Sequence, residues 1–431
     1  MAPPHTLTEV TSALERRRRA VGALWPADTI VLIGAGTAVP VPGRGDRTYP
    51  FRAHSEYFYL TDRERPGGVL AFDPGDGWFD FVTPVTRDEA LWEGADPSSV
   101  DGIDIAELES WLAPRKTKNI VSLGTAAHAA SFDPQLQADL RYALNSVRRP
   151  KDQIELGRMR IAEEATRAGF QEIVQRMESG RTERQLQAMV ESAFFLNGAD
   201  NLAFDTIVAG GHNSAVLHHR PTTRAIREGD LVLIDAGAEF RGYACDITRT
   251  YPAAGRFSPE QAALFHIVRE AHSAALGRCT PGTEWRDVHQ AAAMVIAQGL
   301  VDFGLLRGTV QSLVEQSVQS LFFPHGVGHL VGLGIRDAGE VLKGRQTDPD
   351  LFPKLRVDLP LEPGYVVTVE PGVYIVPALL RDPPLKAFSR DFVNWSLVER
   401  MAGFGGIRIE DDVLITDSAP RVLTAQVPVE V

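Results

Sequence analysis

Four acidic side chains lie inside or at the end of short apolar stretches of this chain that are rich in β-branched residues. These acids are Asp235, Asp246, Glu370 and Glu410, and a histidine, His329, closes the sequence His325-Gly-Val-Gly-His329. Such stretches are typical of buried strands, and burying a carboxylate without a cation costs several kcal/mol. One such acid is explained by an arginine or by backbone N–H groups. Four of them and a histidine are better explained by shared cations.

The spacing of Asp235 and Asp246 indicates two neighbouring antiparallel strands, because a turn at 236–238 lies between them. Side chains on such strands can lie side by side and chelate an ion. Oxygen ligands with one imidazole favour Mn²⁺, Co²⁺ or Zn²⁺ over metals that prefer thiolates. Four carboxylates match the charge of two divalent cations, which together can activate a water and polarise a carbonyl. The residues therefore point to metal-assisted hydrolysis.

The chain divides into two regions near residue 150. Residues 1–150 alternate predicted strands and helices, which favours an α/β domain. In it, 29–33 and the aromatic stretch 56–60 are predicted strands, and the basic run 16–19 is the predicted solvated face of a helix. Residues 151–431 mix amphipathic helices with β-branched strands, which predicts an α+β catalytic domain.

The charge and the cysteine count exclude several classes of protein. The chain has 44 Lys+Arg against 56 Asp+Glu, a net charge of −12, which argues against a nucleic-acid partner. No apolar stretch approaches the ~20 residues that span a membrane. Two cysteines, Cys245 and Cys279, fit a reducing compartment. We therefore expect a cytoplasmic protein with no nucleic-acid or membrane partner.

In order and local sequence, the five metal-binding candidates resemble the ligands of the pita-bread dinuclear metallopeptidases. The sequences 325–329, 368–374 and 405–412 are similar to the Xaa-Pro branch of that family, which comprises aminopeptidase P and prolidase. The segment 49–61 is similar to the N-terminal domain of the same enzymes. The resemblance covers nearly the whole chain.

This resemblance implies a fold, cofactors and partners. It implies an α/β N-terminal domain, 1–150, that serves substrate access and oligomer contacts. It implies a pita-bread (creatinase/aminopeptidase-like) α+β catalytic domain over 151–431. The cofactors would be two divalent metal ions, Mn²⁺ first and Zn²⁺ or Co²⁺ as alternatives. Small proline-containing peptides would be the substrates, and a homodimer or higher homo-oligomer is expected.

The resemblance also assigns roles to individual residues. Glu370 is implied to be both a ligand and the general base. His218 is implied to hydrogen-bond near the scissile amide, with the next histidine a bystander, and His325 to line the substrate pocket. Tyr374 is implied to shuttle a proton, and Arg408 to orient that shuttle or hold a substrate carboxylate. Each of these residues also has a purely structural alternative. His325 would stabilise a turn beside the glycines, and Tyr374 would be a buried aromatic residue with a satisfied hydroxyl. His218 and Arg408 would form structural ion pairs or caps.

One position departs from the family. Arg336 stands seven residues after His329, where the family usually has a histidine. An arginine cannot deprotonate, and its planar fork suits a carboxylate. We hypothesise that Arg336 contacts substrate and favours those with a nearby free carboxylate. The alternative is that Arg336 pairs with Asp337 or Asp358 outside the pocket.

The first interpretation is an Xaa-Pro aminopeptidase like aminopeptidase P. The alternatives are an Xaa-Pro dipeptidase (prolidase) and a variant selective for free carboxylates through Arg336. The long insertion 375–404 favours the dipeptidase, because its length and closing glycines are similar to prolidase. A remote alternative is a non-catalytic binding protein on the pita-bread fold.

Overall fold

The computed structural model describes residues 5–43, 47–115, 118–125, 133–345 and 355–429. The chain separates into two compact units, one spanning His5–Arg148 and a second that begins at Arg149. Each unit contains its own sheet and its own hydrophobic core.

The N-terminal unit is built on one mixed sheet. Its strands are β1 (Thr29–Ala35), β2 (Val69–Asp73), β3 (Gly77–Val82), β4 (Ile103–Asp104) and β5 (Asn119–Thr125), in the order β4-β3-β2-β1-β5. The central strand β1 is parallel to β5 and antiparallel to β2. Every residue of β1 is buried, as its β-branched sequence predicts.

Helices accompany this sheet. They are α1 (Leu7–Gly22), α2 (Ser55–Thr61), α3 (Arg87–Trp92), α4 (Leu108–Leu112) and α5 (Pro134–Arg148). A capping box at Thr6 and Glu9 begins α1, because each side chain binds the other residue's backbone N–H. The mixture of strands and helices confirms the α/β prediction for this part of the chain.

Two predictions for the N-terminal unit were wrong. The aromatic stretch 56–60 is helix α2, and all of its residues are buried, so tertiary packing overrides their strand propensity. The basic run is not simply a solvated face. Arg17 is buried and donates to the Tyr59 carbonyl at 3.0 Å, and Arg18 donates to the Leu60 carbonyl at 2.8 Å. The two arginines bind carbonyls at the C-terminal end of α2, where cations are favoured.

The second unit contains several small antiparallel sheets. Its strands are β6 (Asn201–Leu202), β7 (Ile207–Gly210), β8 (Leu231–Ala236), β9 (Ala238–Phe240), β10 (Tyr243–Ala244), β11 (Ile247–Pro252), β12 (Val366–Val369), β13 (Gly372–Tyr374), β14 (Gly406–Arg408), β15 (Asp411–Leu414) and β16 (Arg421–Val422). Among the described residues the sheet orders are β10-β9-β6, β11-β8-β7, β12-β15-β16 and β13-β14. Isolated bridges, such as Thr248 with Glu410, join one sheet to another.

Helices pack against these sheets. They are α6 (Gln153–Arg176), α7 (Glu183–Leu196), α8 (Pro259–Leu276), α9 (Trp285–Phe303), α10 (Val310–Glu315), α11 (Pro377–Leu380), α12 (Pro383–Phe388) and α13 (Trp395–Arg400). The apolar faces of α8 and α9 share one core with the strands β12–β15, and α6 and α7 share another with β7, β8 and β11. The α+β prediction for this part is confirmed.

Candidate active site

The first pair of acids lies on neighbouring strands, as predicted. Asp235 is the penultimate residue of β8, and Asp246 directly precedes β11. The two strands are antiparallel, with Asp235 opposite Thr248. The connection is longer than the predicted tight turn, because β9 and β10 form a hairpin between them. The return of the chain nevertheless brings both carboxylates to one end of the sheet.

The remaining acids and the histidine come from three other segments. Glu370 follows the last residue of β12, and Glu410 lies between β14 and β15 at a bridge to Thr248. His329 is fixed by its backbone, whose N–H donates to Thr368 Oγ1 at 3.0 Å and whose carbonyl accepts from Thr368 N at 2.8 Å. Gly328 allows this approach, because a Cβ there would overlap the Thr368 carbonyl.

Three of these side chains form a compact cluster. One ligand atom from each of Asp246, His329 and Glu410 lies within 4.8 Å of the other two, and all three residues are buried. Glu370 is adjacent, with its Oε1 3.9 Å from His329 Nε2. Asp235 lies at the other side of the site, where its Oδ2 accepts from Arg408 Nη2 at 2.5 Å.

Electrostatic repulsion and burial act together on these acids. Burial and the charges of Asp246 and Glu370 raise the pKa of Asp235 to about 7, although Arg408 opposes that shift. Burial also raises the pKa of Glu370, and it raises that of Glu410 further because three other carboxylates are close. Burial disfavours protonation of His329, but its bond to Asp246 raises the imidazole pKa overall. The site holds more negative charge than its protein cations compensate.

The side chains fit a divalent metal. Asp235 Oδ1 is buried and has no hydrogen-bond partner among the described residues, which is costly unless a cation takes that place. The donors are carboxylate oxygens and one imidazole, a set that suits hard and borderline cations. A divalent ion would neutralise the repulsion that raises the pKa values of the acids.

A chain of hydrogen bonds leaves the cluster through Arg408. Its Nη1 donates to the Tyr374 hydroxyl at 2.8 Å, and that hydroxyl lies 3.0 Å from His325 Nε2. His325 Nδ1 lies 2.8 Å from the Gly326 carbonyl. Because a carbonyl only accepts, Nδ1 carries a proton, and Nε2 of the neutral imidazole accepts from Tyr374. The antiparallel pairing of β13 with β14 places Tyr374 beside Arg408.

The cluster borders a cavity of about 1070 Å³. Besides the acids, the cavity is lined by His218, His325, Arg336, Arg356 and Arg408. Partial burial and the positive charges of the three arginines lower the pKa of His218. The imidazole is therefore neutral near pH 7 and can accept or donate a hydrogen bond.

The structure places Arg336 at the cavity rather than in the alternative ion pairs. Asp337 pairs with Lys151, 3.0 Å from Nζ to Oδ2, and Asp358 pairs with Arg286 and Arg345. Arg336 lines the cavity, and its charge acts on Glu370 and His218. Arg336 and the acids thus line the same cavity.

Two protein-family models match this chain. Residues 157–417 match the family described as metallopeptidase family M24, and residues 14–122 match the aminopeptidase P N-terminal domain. The chain belongs to metallopeptidase family M24.

Curated relatives of this metallopeptidase cover most of its length. A probable Xaa-Pro aminopeptidase of Paracoccidioides brasiliensis is 31% identical over 407 residues, 88% of this chain and 86% of the relative. An Xaa-Pro aminopeptidase of Haemophilus influenzae is 31% identical over 97% of this chain and 94% of its own. The human Xaa-Pro dipeptidase is also 31% identical, over 87% of this chain and 82% of its own.

Solved structures show the same fold. Aminopeptidase PepP of Pseudomonas aeruginosa matches with a TM-score of 0.78 and 31% identity, covering 97% of this chain and 95% of its own. A zinc-substituted Escherichia coli aminopeptidase P in complex with product matches with a TM-score of 0.79 and 28% identity, covering 97% and 95%. The expected Xaa-Pro peptidase family and pita-bread fold are confirmed. The metallopeptidase uses divalent metal, and its family argues against the non-catalytic alternative.

Sequence reasoning missed the residues that support the metal ligands. Thr248 Oγ1 donates to Glu410 Oε2 at 2.5 Å and accepts from Arg408 Nε at 3.0 Å. Asp412 Oδ2 accepts from the Asp246 backbone N–H at 3.0 Å. Arg249, which is fully buried, donates to the Glu410 carbonyl at 2.6 Å. Strand alternation two residues after Asp246 is the signal that could have identified Thr248.

Two further observations concern the insertion 375–404 and the length of the helices. None of residues 375–404 lines the cavity, so the insertion is not part of its wall. In the part of the chain that the structure describes, no helix is long and apolar enough to cross a membrane.

Proposed function

We propose that this metallopeptidase removes the N-terminal residue from peptides whose second residue is proline. The observation that carries the proposal is the acidic cluster beside a cavity that also exposes His218, His325 and Arg408. The preference for proline is supported by the names of the relatives, which are Xaa-Pro aminopeptidases and an Xaa-Pro dipeptidase.

In this proposal two divalent ions, Mn²⁺ first and Zn²⁺ or Co²⁺ as alternatives, are held by Asp235, Asp246, His329, Glu370 and Glu410. When bound, such ions polarise the substrate carbonyl and make a water acidic. The unpartnered Asp235 Oδ1 and the excess of carboxylates support this assignment. Elemental analysis of protein purified with Mn²⁺ should find two ions per chain, and one ion would reject the count.

Glu370 is the proposed general base. Its side chain is 19% exposed, whereas that of Glu410 is 3% exposed, so Glu370 can meet a water in the cavity.

Tyr374, His325 and Arg408 are proposed to handle the proton that the leaving nitrogen needs. Arg408 donates to the tyrosine hydroxyl and keeps that oxygen oriented, and the hydroxyl is within hydrogen-bond distance of His325. Tyr374 is fully buried, whereas His325 and Arg408 line the cavity, so these two residues are the members of this hydrogen-bond chain that can meet a substrate. His218, on the cavity wall, is proposed to hydrogen-bond the substrate near the scissile amide.

Peptide hydrolysis tests this function directly. The Mn²⁺-loaded protein should release alanine from Ala-Pro-Ala at least 100-fold faster than from Ala-Ala-Ala, because the site selects proline. Equal rates on both peptides would reject the proline preference. No release from either, with metal bound, would reject the function.

The second candidate is an Xaa-Pro dipeptidase, or a free-carboxylate-selective variant, and the position of Arg336 favours it. A guanidinium that lines the same cavity as the acids can bind the carboxylate of a short product or substrate. The cavity volume of about 1070 Å³ exceeds that of most small-ligand pockets, which favours longer peptides. The position of Arg336 therefore favours short substrates, whereas the cavity volume favours longer peptides.

An Arg336→His variant separates the two candidates. If Arg336 binds a free carboxylate, the variant should raise KM for Ala-Pro about tenfold and leave KM for Ala-Pro-Ala nearly unchanged. Arg307→His, a change at an exposed position outside the cavity lining, is the matched control. An unchanged ratio of the two KM values would reject a role for Arg336 in substrate length.

We also infer a cytoplasmic homodimer or higher homo-oligomer, with the N-terminal domain, 1–150, providing oligomer contacts and substrate access. Two free, buried cysteines support the reducing compartment. Light scattering on the full chain and on a chain lacking residues 1–150 tests the oligomer contacts. An unchanged subunit number after the deletion would reject them.

A further inference from the structure

A buried carboxylate outside the metal cluster has no role in the mechanism above. Glu183, the first residue of α7, is fully buried. Its Oε1 accepts from Gly210 N at 2.9 Å and from Asn213 Nδ2 at 2.8 Å. Its Oε2 accepts from Thr222 N at 3.0 Å and from Thr222 Oγ1 at 2.7 Å, and His219 Nε2 lies 2.9 Å away. One side chain thus engages five donors.

The donors lie at the two ends of one loop. Gly210 ends β7, and the loop 211–222 leads from there towards β8. Oε1 binds the beginning of this loop, and Oε2 binds its end. The two oxygens of a carboxylate are a fixed distance apart, so Glu183 fixes the two ends of the loop relative to each other.

The loop carries residues that line the substrate cavity, and His218 is one of them. His218 lines the cavity and is adjacent to His219, which Glu183 binds. His219, expected to be a bystander, is therefore an anchor for its neighbour. The loop is also held in its middle, where Ser214 Oγ accepts from Gly406 N at 2.8 Å.

Ionisation of Glu183 makes these bonds strong. Burial alone would raise its pKa, but the Gly210 N–H, His219, Asn213 and Thr222 lower it to about 2. At pH 7 the carboxylate therefore only accepts, and His219 must donate from Nε2. The tautomer and the ring orientation of His219 are fixed as a result.

We infer that Glu183 is a positioning residue for His218: it closes the loop 211–222 and sets the place of that imidazole at the cavity wall. The inference rests on the proposed role of His218. Small displacements of a positioned group reduce the rate strongly, on the order of 10²-fold for about 1 Å.

A double-mutant cycle with Glu183→Gln and His218→Ala tests the inference by activity. In a glutamine, an NH₂ group replaces one of the two carboxylate oxygens. This group is a donor and cannot accept the hydrogen bonds that the loop donates to that oxygen. We expect Glu183→Gln to lower kcat/KM for Ala-Pro-Ala about 10- to 100-fold with unchanged metal content. In the His218→Ala background the same change should cost less than twofold. Equal losses in both backgrounds would show that Glu183 acts on something other than His218.

A spectroscopic measurement tests the inference without activity. The ring signal of His218, assigned by its loss in His218→Ala, is followed by NMR in the Zn²⁺-loaded protein. Glu183→Gln should shift or broaden this signal, and the signal of the exposed His266 should stay unchanged. An unmoved His218 signal rejects the inference. A moved signal combined with full activity of His218→Ala rejects only the proposed role of His218.

Matched variants separate positioning from general loss of stability. Asp73→Asn removes the charge of a carboxylate of similar burial in the N-terminal unit, whose pKa is also lowered to about 2. It should lower stability and leave the His218 signal unchanged. Thr222→Val, which removes one donor to Oε2, replaces Glu183→Gln if that variant does not fold, and it should move the His218 signal in the same way.

Discussion

The buried acids of the two units have opposite surroundings. In the N-terminal unit, Asp73 accepts from Arg115 at 2.8 Å, from Lys118 at 2.7 Å and from Gly75 N, and its pKa is lowered to about 2. In the second unit, Asp235 has Arg408 beside it, but burial and neighbouring acids raise its pKa to about 7. An acid such as Asp73, whose oxygens accept several hydrogen bonds, stabilises the fold. Acids such as Asp235, which lie near other carboxylates and few protein cations, repel one another, and a bound metal ion can reduce that repulsion.

Glu183 shows that the difference does not follow the boundary between units. It lies in the second unit, yet its donors lower its pKa to about 2, as in the N-terminal unit. For Asp73, Glu183 and Asp235 the direction of the pKa shift therefore does not depend on the unit in which the acid lies.

The largest expected effect comes from breaking the crowded site. Glu410→Gln should lower metal content and reduce kcat/KM by more than the roughly 10- to 100-fold typical of a residue that only supports a ligand. In metal-free protein the same change should raise the melting temperature, because one buried, repelled charge is removed. Elemental analysis, kinetics and calorimetry check the three results. A lower melting temperature of the metal-free variant would contradict the repulsion.

Glu183 should contribute a pH-dependent stability. Its folded pKa of about 2 lies below the usual glutamate pKa of 4.5, so its contribution to stability is present above about pH 5 and is lost as the pH falls towards 2. A shift of this size corresponds to as much as about 3 kcal/mol. Denaturation of the wild type and Glu183→Gln at pH 7 and pH 3 should show a difference that shrinks at pH 3. A constant difference would rule out the charge as the cause.

Thr248→Val tests the support of the metal ligands. The variant keeps the shape of the side chain but removes the donor to Glu410 and the acceptor for Arg408. We expect metal affinity to fall by roughly 10- to 100-fold. Titration calorimetry with Mn²⁺ measures it, and Thr11→Val on the exposed part of α1 is the control. An affinity equal to that of the wild type would mean that Thr248 does not orient the ligand.

Asp73→Asn is the counterpart of Glu410→Gln in the N-terminal unit. It should lower the free energy of unfolding by about 2 kcal/mol, because charged hydrogen bonds to Arg115 and Lys118 are lost. The kcat for Ala-Pro-Ala should stay unchanged. If Asp73→Asn were more stable than the wild type, Asp73 would not stabilise the fold, and it would not differ from the acids of the metal cluster.

The smallest effect is expected at an exposed ion pair. Arg160 Nε lies 3.9 Å from Glu164 on the surface of α6, with side chains 68% and 51% exposed. Arg160→Ala should change the free energy of unfolding by no more than ~0.5 kcal/mol. A larger loss of unfolding free energy would mean that exposed ion pairs, and not only the buried acids, contribute to the stability of the fold.

The sequence predicted the parts of the site that depend on local pattern. Asp235, Asp246, Glu370 and Glu410 were recognisable because a charge inside a β-branched stretch is costly without a cation. The proposed partners of Arg336 were not its partners, because Lys151, Arg286 and Arg345 reach those acids from elsewhere in the chain.

Long-range contacts set the limit of sequence reasoning. The aromatic stretch of α2 has strand propensity, yet it is a buried helix whose C-terminal carbonyls accept from arginines of α1. Glu183 looks like an ordinary acid at a helix start, because its donors lie 27 to 39 residues further along the chain. Such contacts leave no local pattern.

The bridge between Thr248 and Glu410 has a consequence for how the protein is made. The hydrogen bond joins residues that are 162 positions apart. At roughly 5–20 residues per second, the ribosome adds that length of chain in roughly 8–30 s. During this interval the nascent polypeptide carries Asp235 and Asp246 without Glu410, and for most of it without Glu370. A growing chain therefore lacks part of the predicted ligand set until Glu410 has been added.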